Sequence, residues 1–356
     1  GRQIGASAVT AVTAASTLNG YRPLARKGYP SILSFGFGLV VSEFPLQTLV
    51  SQLGGLALTT RHLTRPVRAI AWVVAGISAA GLLNFNRAGH KAAVPLRAAL
   101  DSGLGTGRRT DSTGLWRRPV DAGTAKSSGA LRMLRIYRDY THDADISYGE
   151  YGSANHLDLW RRPDLDRAGK APVLFQIPGG AWITGNKRGQ AHPLMSHLAE
   201  LGWICVAVNY RHSPRNTWPG VQAAVPFYGV YDFTRFEDAM HPSMPELLEQ
   251  MVIKQPHKTS LETYVDAPPV NHVAADAPPF FVLHGTNDSL VPVEQARAFV
   301  AKLRDVSTQP VVYAELPFAQ HAFDMLGSAR AAHTAVAAEQ FLAEIYANHR
   351  CAVTDQ

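Results

Sequence analysis

A short apolar run that ends abruptly in Pro-Gly-Gly constrains the fold of this chain more than any other feature. Residues 173–177 are followed by Pro178, Gly179 and Gly180. Four to eight apolar residues bounded by breakers are typical of a buried strand, and paired glycines let bare backbone approach a ligand. Such a turn can aim backbone N–H groups at the charge that develops on a carbonyl oxygen during acyl transfer. Taken alone, the stretch is equally compatible with a simple tight turn.

Further apolar runs in the second half of the chain indicate an α/β domain. Segments with helical spacing separate and follow these runs. Continuously apolar strands that alternate with helices predict a mostly parallel sheet with helices on both faces. Two alternating runs at 146–151 and 156–160, joined by a short turn, predict an edge hairpin. Buried strands are expected at 173–177, 203–210, 221–229, 280–285 and 311–316.

Two polar residues follow successive strands of this predicted sheet. Asp288 lies on the loop after strand 280–285, and His321 lies on the loop after strand 311–316. Chemistry in such a sheet gathers at the carboxyl ends of the strands, so both side chains are expected at one edge. A lone Asp before a helix is commonly a cap, and a lone His is commonly structural. The order Asp then His on successive strand ends, downstream of a Gly-Gly loop, favours a functional pair over both of these alternatives.

Five motifs together resemble a known family. They are Gln176 to Gly185, Asn209-Tyr210-Arg211, Tyr228 to Asp232, His284 to Asp288 and Gln320 to Phe323. The chain resembles α/β-hydrolase-fold carboxylesterases and lipases of the hormone-sensitive-lipase-like branch, in particular a subgroup with a hydrophobic amino-terminal extension. The resemblance covers residues 29–348.

The resemblance implies a serine hydrolase that cleaves carboxylic esters of small molecules or lipids without a cofactor or metal. It implies that Gly179 and Gly180 are oxyanion-hole donors, that Asp288 orients the imidazole and that His321 is the general base. The family usually has His-Gly-Gly where this chain has Pro-Gly-Gly. The donors are backbone groups, so the change is tolerable.

The nucleophile that this family needs is missing from the sequence. No window of the chain fits Gly-x-Ser-x-Gly, the turn that presents the nucleophilic serine. Ser213 and Ser289 follow strands but lack the flanking glycines, and Ser78 lies in the hydrophobic extension. None of them is a credible substitute.

The spacing of the predicted strands shows where the loss lies. Only the ten residues 211–220, with Pro214 and Pro219 among them, join two predicted strands. A parallel crossover needs a dozen or more residues, usually a helix. The family has a helix, the central strand, the serine turn and another helix here, roughly 60 to 75 residues. The sequence therefore predicts a missing segment near 219–221 and a sheet without its central strand. It also predicts a domain that is prone to aggregate or molten, with Asp288 and His321 not held in register.

The amino-terminal part of the chain has a different character. Residues 1–28 are rich in small residues and predict a flexible arm. Residues 29–100 contain three uncharged runs and predict a hydrophobic helical region. This region either dips into a membrane as a helical hairpin, packs against the downstream domain, or spans the bilayer. Residues 101–135 predict a linker, and residues 136–350 the α/β-hydrolase domain.

The amino-terminal part and the remainder of the chain also differ in net charge. Residues 1–110 hold 12 basic residues and two acids, whereas the remainder holds 22 basic and 26 acidic residues. A basic segment suggests nucleic acid or an anionic membrane, and aromatic and basic residues do not interleave here as in a nucleic-acid groove. We therefore expect a membrane-associated or cell-envelope protein, otherwise a cytoplasmic one, and no nucleic-acid partner.

Three functional interpretations stay open at this point. The first is a serine carboxylesterase or lipase from whose sequence an internal segment is missing. The second is a deletion product that is catalytically dead. The third is a non-catalytic ligand-binding or scaffold protein of the same fold. The two cysteines, Cys205 and Cys351, form neither a disulfide framework nor a metal-ligand spacing.

Overall fold

The computed structural model describes residues 2–25, 29–105, 140–165, 171–180, 185–209, 222–234 and 244–354. Its helices are α1 (Arg2–Tyr21), α2 (Tyr29–Glu43), α3 (Pro45–Thr59), α4 (Arg65–His90), α5 (Ala93–Leu104), α6 (His192–Glu200), α7 (Met244–Leu247), α8 (Leu261–Asp266), α9 (Val293–Val306) and α10 (Ala329–Thr354). Its strands are β1 (Thr141–Ser147), β2 (His156–Arg161), β3 (Val173–Gln176), β4 (Ile204–Val208), β5 (Phe280–Gly285) and β6 (Val311–Leu316).

The sequence predicted a flexible arm at residues 1–28. This prediction is wrong for residues 2–21, which form helix α1. Small residues let this helix approach its neighbours closely. A side chain at Gly20 would lie 2.8 Å from the ring of Phe85, and one at Gly81 would lie 2.7 Å from Thr17. The helix is therefore stabilised by tertiary packing, which overrides its weak local helix signal.

Helices α2 and α3 meet at a sharp corner, with an angle of 102° between Pro30–Glu43 and Pro45–Thr59. Pro45 begins α3, where a missing N–H costs nothing. Helix α4 packs on this corner through residues of one face, which are Ala71, Ala75, Ser78, Leu82, Phe85 and Gly89.

Helix α5 belongs to the core of the α/β domain. Leu96, Leu100 and Leu104 are buried in one cluster with Val312 and Phe341. Gly103 is needed for this approach, because a side chain there would meet the backbone of Val312 at 3.0 Å. The predicted boundary at residue 100 is therefore wrong, since burial couples α5 to the sheet. Residues 106–139, most of the predicted linker, lie outside the described residues.

The described strands form two separate sheets. One has the order β1-β2-β4-β3, and the other consists of β5 and β6. β1 and β2 pair antiparallel at the edge, which confirms a hairpin there, but the first strand is Thr141–Ser147 and the predicted bounds 146–151 are wrong. The pairs β3–β4 and β5–β6 are parallel, as predicted. The predicted strand 221–229 is reduced to two bridges, Ala224 to Phe280 and Phe227 to Leu283.

Strand β3 is more exposed than the sequence predicted. Val173 is 52% exposed and Phe175 is 54% exposed, and both side chains lie on the same face of the strand. Within the described ranges, β3 pairs with β4 on one side and is an edge of its sheet on the other. The face of β3 that carries Val173 and Phe175 is open, so the predicted burial of this strand is wrong.

One helix packs against both sheets. Ala337 and Phe341 of α10 lie in the cluster formed by β5, β6 and α5. Ala335 and Ala338 of the same helix lie in the cluster formed by β2, β4 and α6. On β5 and β6, helix α9 adds a third cluster that includes Phe299. Helix α10 therefore holds the two sheets to each other.

A buried ion pair fastens the amino-terminal helices to the same helix. Glu43, the last residue of α2, pairs with Arg330 near the start of α10, and both side chains are fully buried. Ser328 also donates to Glu43, at 2.6 Å. Arg330 donates further to the carbonyl oxygen of Pro317, at 3.2 Å, just before the loop that carries His321.

We predict that Arg330→Met lowers the free energy of unfolding by about 3 to 5 kcal/mol, because it leaves a buried carboxylate uncompensated. The matched control is Arg297→Met, which removes the partner of Glu315 at the surface and should cost at most about 1 kcal/mol. Urea unfolding of both variants measures the difference. Equal losses for the two arginines would contradict the importance of the buried pair.

Candidate functional site

The structure brings Asp288 and His321 together at the carboxyl edge of β5 and β6. The prediction that the two residues are not held in register is therefore wrong. His321 Nδ1 lies 2.8 Å from Asp288 Oδ2, and the carboxylate side chain is fully buried. The imidazole is 22% exposed, so it remains open to a reactant on its outer side. An imidazole oriented by a buried carboxylate is the arrangement that a general base requires.

The carboxylate of Asp288 is held on both oxygens. Oδ1 accepts the backbone N–H groups of Leu290 at 2.9 Å and Val291 at 2.8 Å. Oδ2 lies 3.3 Å from Nε2 of His284, a fully buried residue that the sequence analysis did not assign to the site. Its spacing, four residues before Asp288 in the same motif, is the signal that could have found it.

These neighbours keep Asp288 ionised. Burial raises its pKa, but the opposing effects of His321 and His284 are larger, so the pKa lies well below its usual range. The site therefore contains a permanent negative charge behind the imidazole, which can stabilise an imidazolium.

Two aromatic rings flank His321. The ring of Tyr228 has its centroid 4.4 Å from that of the imidazole, and its hydroxyl donates to Asp324 at 2.5 Å. Burial raises the pKa of Tyr228 well above its ordinary value, and it also raises the pKa of Asp324. From the other direction, Phe35 of α2 meets the imidazole nearly edge-on, with centroids 6.2 Å apart. The amino-terminal helices thus reach the site directly.

Gln320 joins the two loops that carry Asp288 and His321. Its Oε1 accepts the backbone N–H of Ser289 at 2.7 Å and that of His321 at 2.9 Å. The hydroxyl of Ser289 donates to the same oxygen at 3.3 Å. Ser289 therefore takes part in this bridge through its backbone and its hydroxyl.

In the predicted oxyanion loop, the backbone of Gly179 is hydrogen-bonded to the side chain of Gln190. The N–H of Gly179 donates to Gln190 Oε1 at 2.7 Å, and Gln190 Nε2 donates back to the carbonyl of Gly179 at 3.1 Å. Gly185 has a φ of 97°, and a side chain there would lie 2.1 Å from the carbonyl oxygen of Gly179. Gln190 must release Gly179 before that N–H can bind an oxyanion, so the role of Gly179 and Gly180 stays a prediction.

A cluster of ion pairs anchors the end of this loop to the hairpin of β1 and β2. The buried Lys187 pairs with Asp158 and, at 2.6 Å, with Asp145. Arg188 pairs with the same two carboxylates, at 2.8 Å to Asp158 and 2.7 Å to Asp145. The hydrogen bond from Lys187, followed by that from Arg188, lowers the pKa of Asp145 to about 2. The residues are distant in sequence, and no sequence pattern marks the cluster.

Other predicted features are not brought to this site. Ser213 and the junction at 211–220 lie outside the described residues. Ser78 lies in α4 and donates to the carbonyl of Thr13. Across the described part of the chain, no group of three or more His, Cys, Asp or Glu side chains could hold a metal ion.

Comparison with known proteins identifies the family. The probable carboxylic ester hydrolase LipM of Mycobacterium tuberculosis (strain ATCC 25618 / H37Rv) is 64% identical over 406 residues, covering 97% of this chain and 94% of LipM. The chain belongs to this carboxylic ester hydrolase family. Its resemblance to α/β-hydrolase-fold esterases and lipases is thereby confirmed, and so is the α/β-hydrolase fold class.

One further relative and one family model also match this chain. Esterase LipQ of the same organism is 40% identical over 286 residues, covering 62% of this chain and 68% of LipQ. A family model described as BD-FAE matches residues 157–221 and 220–303. Among solved structures, the apo form of Thermogutta terrifontis esterase 2 matches 58% of this chain and 95% of that chain, with 18% identity and a TM-score of 0.44.

We predict that Asp288 makes the stability of the fold depend on acid pH. A carboxylate whose pKa is lower in the folded state than its unfolded value of about 3.9 stabilises the fold fully above that value. This contribution is lost as the pH falls below about 4 toward the folded pKa. Between pH 5 and pH 3, the parent chain should therefore lose more stability than Asp288→Asn does. Urea unfolding across this range is the measurement.

The control for this prediction is Asp305→Asn, which changes an exposed aspartate of α9. This variant should follow the parent chain at every pH. If Asp288→Asn instead shows the same acid dependence as the parent, Asp288 is not held as a stabilised carboxylate.

Proposed function

We propose that this chain carries the acid and the base of a serine carboxylesterase or lipase, and that the internal segment with the nucleophilic serine is absent from it. In this proposal Asp288 orients His321, and His321 is the general base. The substrate class is a small-molecule or lipid carboxylic ester, as the names of the relatives suggest. The observation that carries the proposal is the length of the alignments with these relatives.

The alignments are longer than the part of this chain that they cover. The LipM alignment has 406 positions, whereas 97% of the 356-residue chain is about 345 residues, so about 60 positions face no residue of this chain. The LipQ alignment has 286 positions, against about 221 residues of this chain, which leaves about 65. An internal gap of this size agrees with the roughly 60 to 75 residues expected for two crossover helices, a strand and the serine turn.

Two further observations support a location near residue 220. The BD-FAE match falls into two parts that meet at residues 220 and 221. The described strands before residue 220, β1 to β4, form one sheet, and those after it, β5 and β6, form the other. A central strand inserted between Pro219 and Val221 would lie between these two sheets.

The chemistry of the complete site follows from the geometry around His321. With Nδ1 donating to Asp288, Nε2 is left to take the proton of a serine hydroxyl as the serine attacks the ester carbonyl. Backbone N–H groups of the Gly179-Gly180 turn would stabilise the oxyanion once Gln190 releases Gly179. Without the serine no acyl-enzyme forms, because the remaining residues supply a base but no nucleophile.

We predict that the 356-residue chain does not hydrolyse p-nitrophenyl butyrate above the buffer rate. Insertion of the corresponding LipM segment between Pro219 and Val221 should restore hydrolysis, since it supplies the serine and the strand that joins the two sheets. In the restored chain, His321→Ala should lower kcat by about 10³-fold or more, and Asp288→Asn by a similar order. Initial rates with purified proteins measure each effect.

Two results would contradict this proposal. The first is hydrolysis by the unmodified chain that is lost in His321→Ala. The second is full activity of the restored chain after replacement of His321. A useful control is Ser289→Ala in the restored chain, which should retain activity because it keeps the backbone N–H that donates to Gln320 at 2.7 Å and removes only the longer bond of the hydroxyl.

We further propose that the amino-terminal helices bind the surface of an anionic membrane. Residues 65–104 contain a stretch long and apolar enough to cross a membrane by length and composition alone. Large apolar side chains on α2, α3 and α4 are also 49% to 71% exposed. They include Ile32, Leu33, Phe37, Val40, Val50, Leu58, Ile70, Val73 and Ile77.

Packing favours a surface position over a spanning one. One face of α4 is buried against the other helices, and α5 is part of the α/β core. Spanning would require both helices to leave these contacts, whereas surface binding buries only the exposed face. Arg61, Arg65 and Arg68 are exposed at or just before the start of α4 and can add roughly 1 kcal/mol each on an anionic bilayer.

We predict that the chain floats with vesicles that contain phosphatidylglycerol, and that Val73→Asp combined with Ile77→Asp reduces the bound fraction at least tenfold. The control is Leu261→Asp, which places a charge on an equally exposed apolar residue of α8. Point variants are preferable to removal of residues 1–110, because that deletion would take α5 out of the core. Equal flotation of the α4 variant and the control would exclude α4 as the membrane-binding face.

A further inference from the structure

The residue before Asp288 connects the site to the first helix of the chain. The Nδ2 group of Asn287 donates to the carbonyl oxygen of Gly20 at 2.6 Å and to that of Tyr21 at 2.9 Å. These are the last two residues of α1. The contact joins positions that are more than 260 residues apart in the sequence.

The chemistry of an amide suits this position. The last carbonyl groups of a helix have no partner within the helix, and they need donors from elsewhere. One amide nitrogen has two hydrogens, so Asn287 satisfies two of these carbonyls at once. An aspartate of the same size has no donor when ionised, and a serine has a single one.

The backbone of Asn287 makes a second connection. Its N–H donates to the carbonyl of Ala319 at 3.0 Å, two residues before His321. The hydroxyl of Thr286 accepts the N–H of Phe318 at 2.9 Å in the same region. Asn287 is therefore bonded to the end of α1 through its side chain, to the histidine loop through its backbone, and covalently to Asp288.

The end of α1 is itself firmly held. The ring of Tyr21 packs on Phe85, with centroids 4.4 Å apart, and on Phe318, with centroids 5.3 Å apart. The Tyr21 hydroxyl donates to the carbonyl of Gly81 at 3.2 Å and accepts from Asn84 at 3.0 Å. A fixed helix end gives Asn287 a fixed point of attachment.

We propose that Asn287 is a positioning residue, which sets the distance between Asp288 and His321 by fastening the turn of Asp288 to the docked end of α1. The inference rests on the roles proposed above for Asp288 and His321. Without the Asn287 amide, the N–H groups of Leu290 and Val291 still hold Asp288 Oδ1, so the local turn persists. The turn loses its attachment to α1, and the hydrogen bond from His321 to Asp288 Oδ2 lengthens.

The test uses the full chain labelled with ¹⁵N-histidine. The low-field proton signal of the His321 Nδ1–H···Asp288 hydrogen bond, assigned by its loss in Asp288→Asn, is compared in three variants. Asn287→Ala should shift this signal upfield or abolish it. Asn287→Gln, which keeps both donors on a longer side chain, should recover part of it. Asn271→Ala is the control, because Asn271 makes a similar bond to the carbonyl of Val265 away from the site.

A merely structural role predicts a different result. It would lower the urea midpoint of Asn287→Ala and Asn271→Ala alike and leave the low-field signal at its parent position in both. That outcome overturns the proposal. If the alanine variant does not fold, Asn287→Ser, which keeps one donor, takes its place under the same criteria.

A second measurement uses the chain with the LipM segment inserted. There Asn287→Ala should lower kcat by about 10- to 100-fold with little change in KM, because a small displacement of a catalytic group slows the chemical step rather than binding. An unchanged kcat overturns the positioning role. A restored chain that lacks esterase activity altogether contradicts the proposed function alone, since the spectroscopic result does not depend on catalysis.

Discussion

A parallel strand can join its neighbour only through a crossover of a dozen or more residues, and this chain has ten, 211–220, where such a crossover is required. We propose that this constraint underlies the division of the described strands into two sheets. It also accounts for the apolar side chains of Val173 and Phe175, which have the character of a central strand but lie on an exposed edge. The proposed loss of one segment would explain both the two-sheet arrangement and the missing nucleophile.

Helix packing, rather than the hydrogen bonds of one continuous sheet, holds the two described sheets together. Helix α10 packs on both sheets, and α5 fills the cluster beneath β5 and β6. The buried pair of Glu43 and Arg330 fastens α2 to the start of α10. The same group of helices meets the site at three places, through Phe35, Arg330 and the carbonyls that Asn287 caps. The amino-terminal region is therefore part of the architecture of the site as well as a candidate membrane-binding surface.

The sequence predicted those features that follow from local pattern. Strand ends place Asp288 and His321 at one edge, and their hydrogen bond agrees with that reasoning. The hairpin of β1 and β2 follows from alternation. Features that depend on contacts between distant segments could not be predicted. Helix α1 has a weak local signal and is stabilised by close packing, and neither Asn287 nor Gln190 carries a pattern that reveals its partner.

We propose that the acid and base of an esterase are assembled here without a serine that they can activate. The most direct test is labelling with a fluorophosphonate, which reacts only with activated serines, followed by peptide mapping. We predict no labelled serine in the 356-residue chain. In the chain with the LipM segment inserted, we predict one labelled serine within that segment, and its labelling should require His321. If Ser213 or any other serine of the unmodified chain is labelled, and His321→Ala abolishes this labelling, the proposal is wrong.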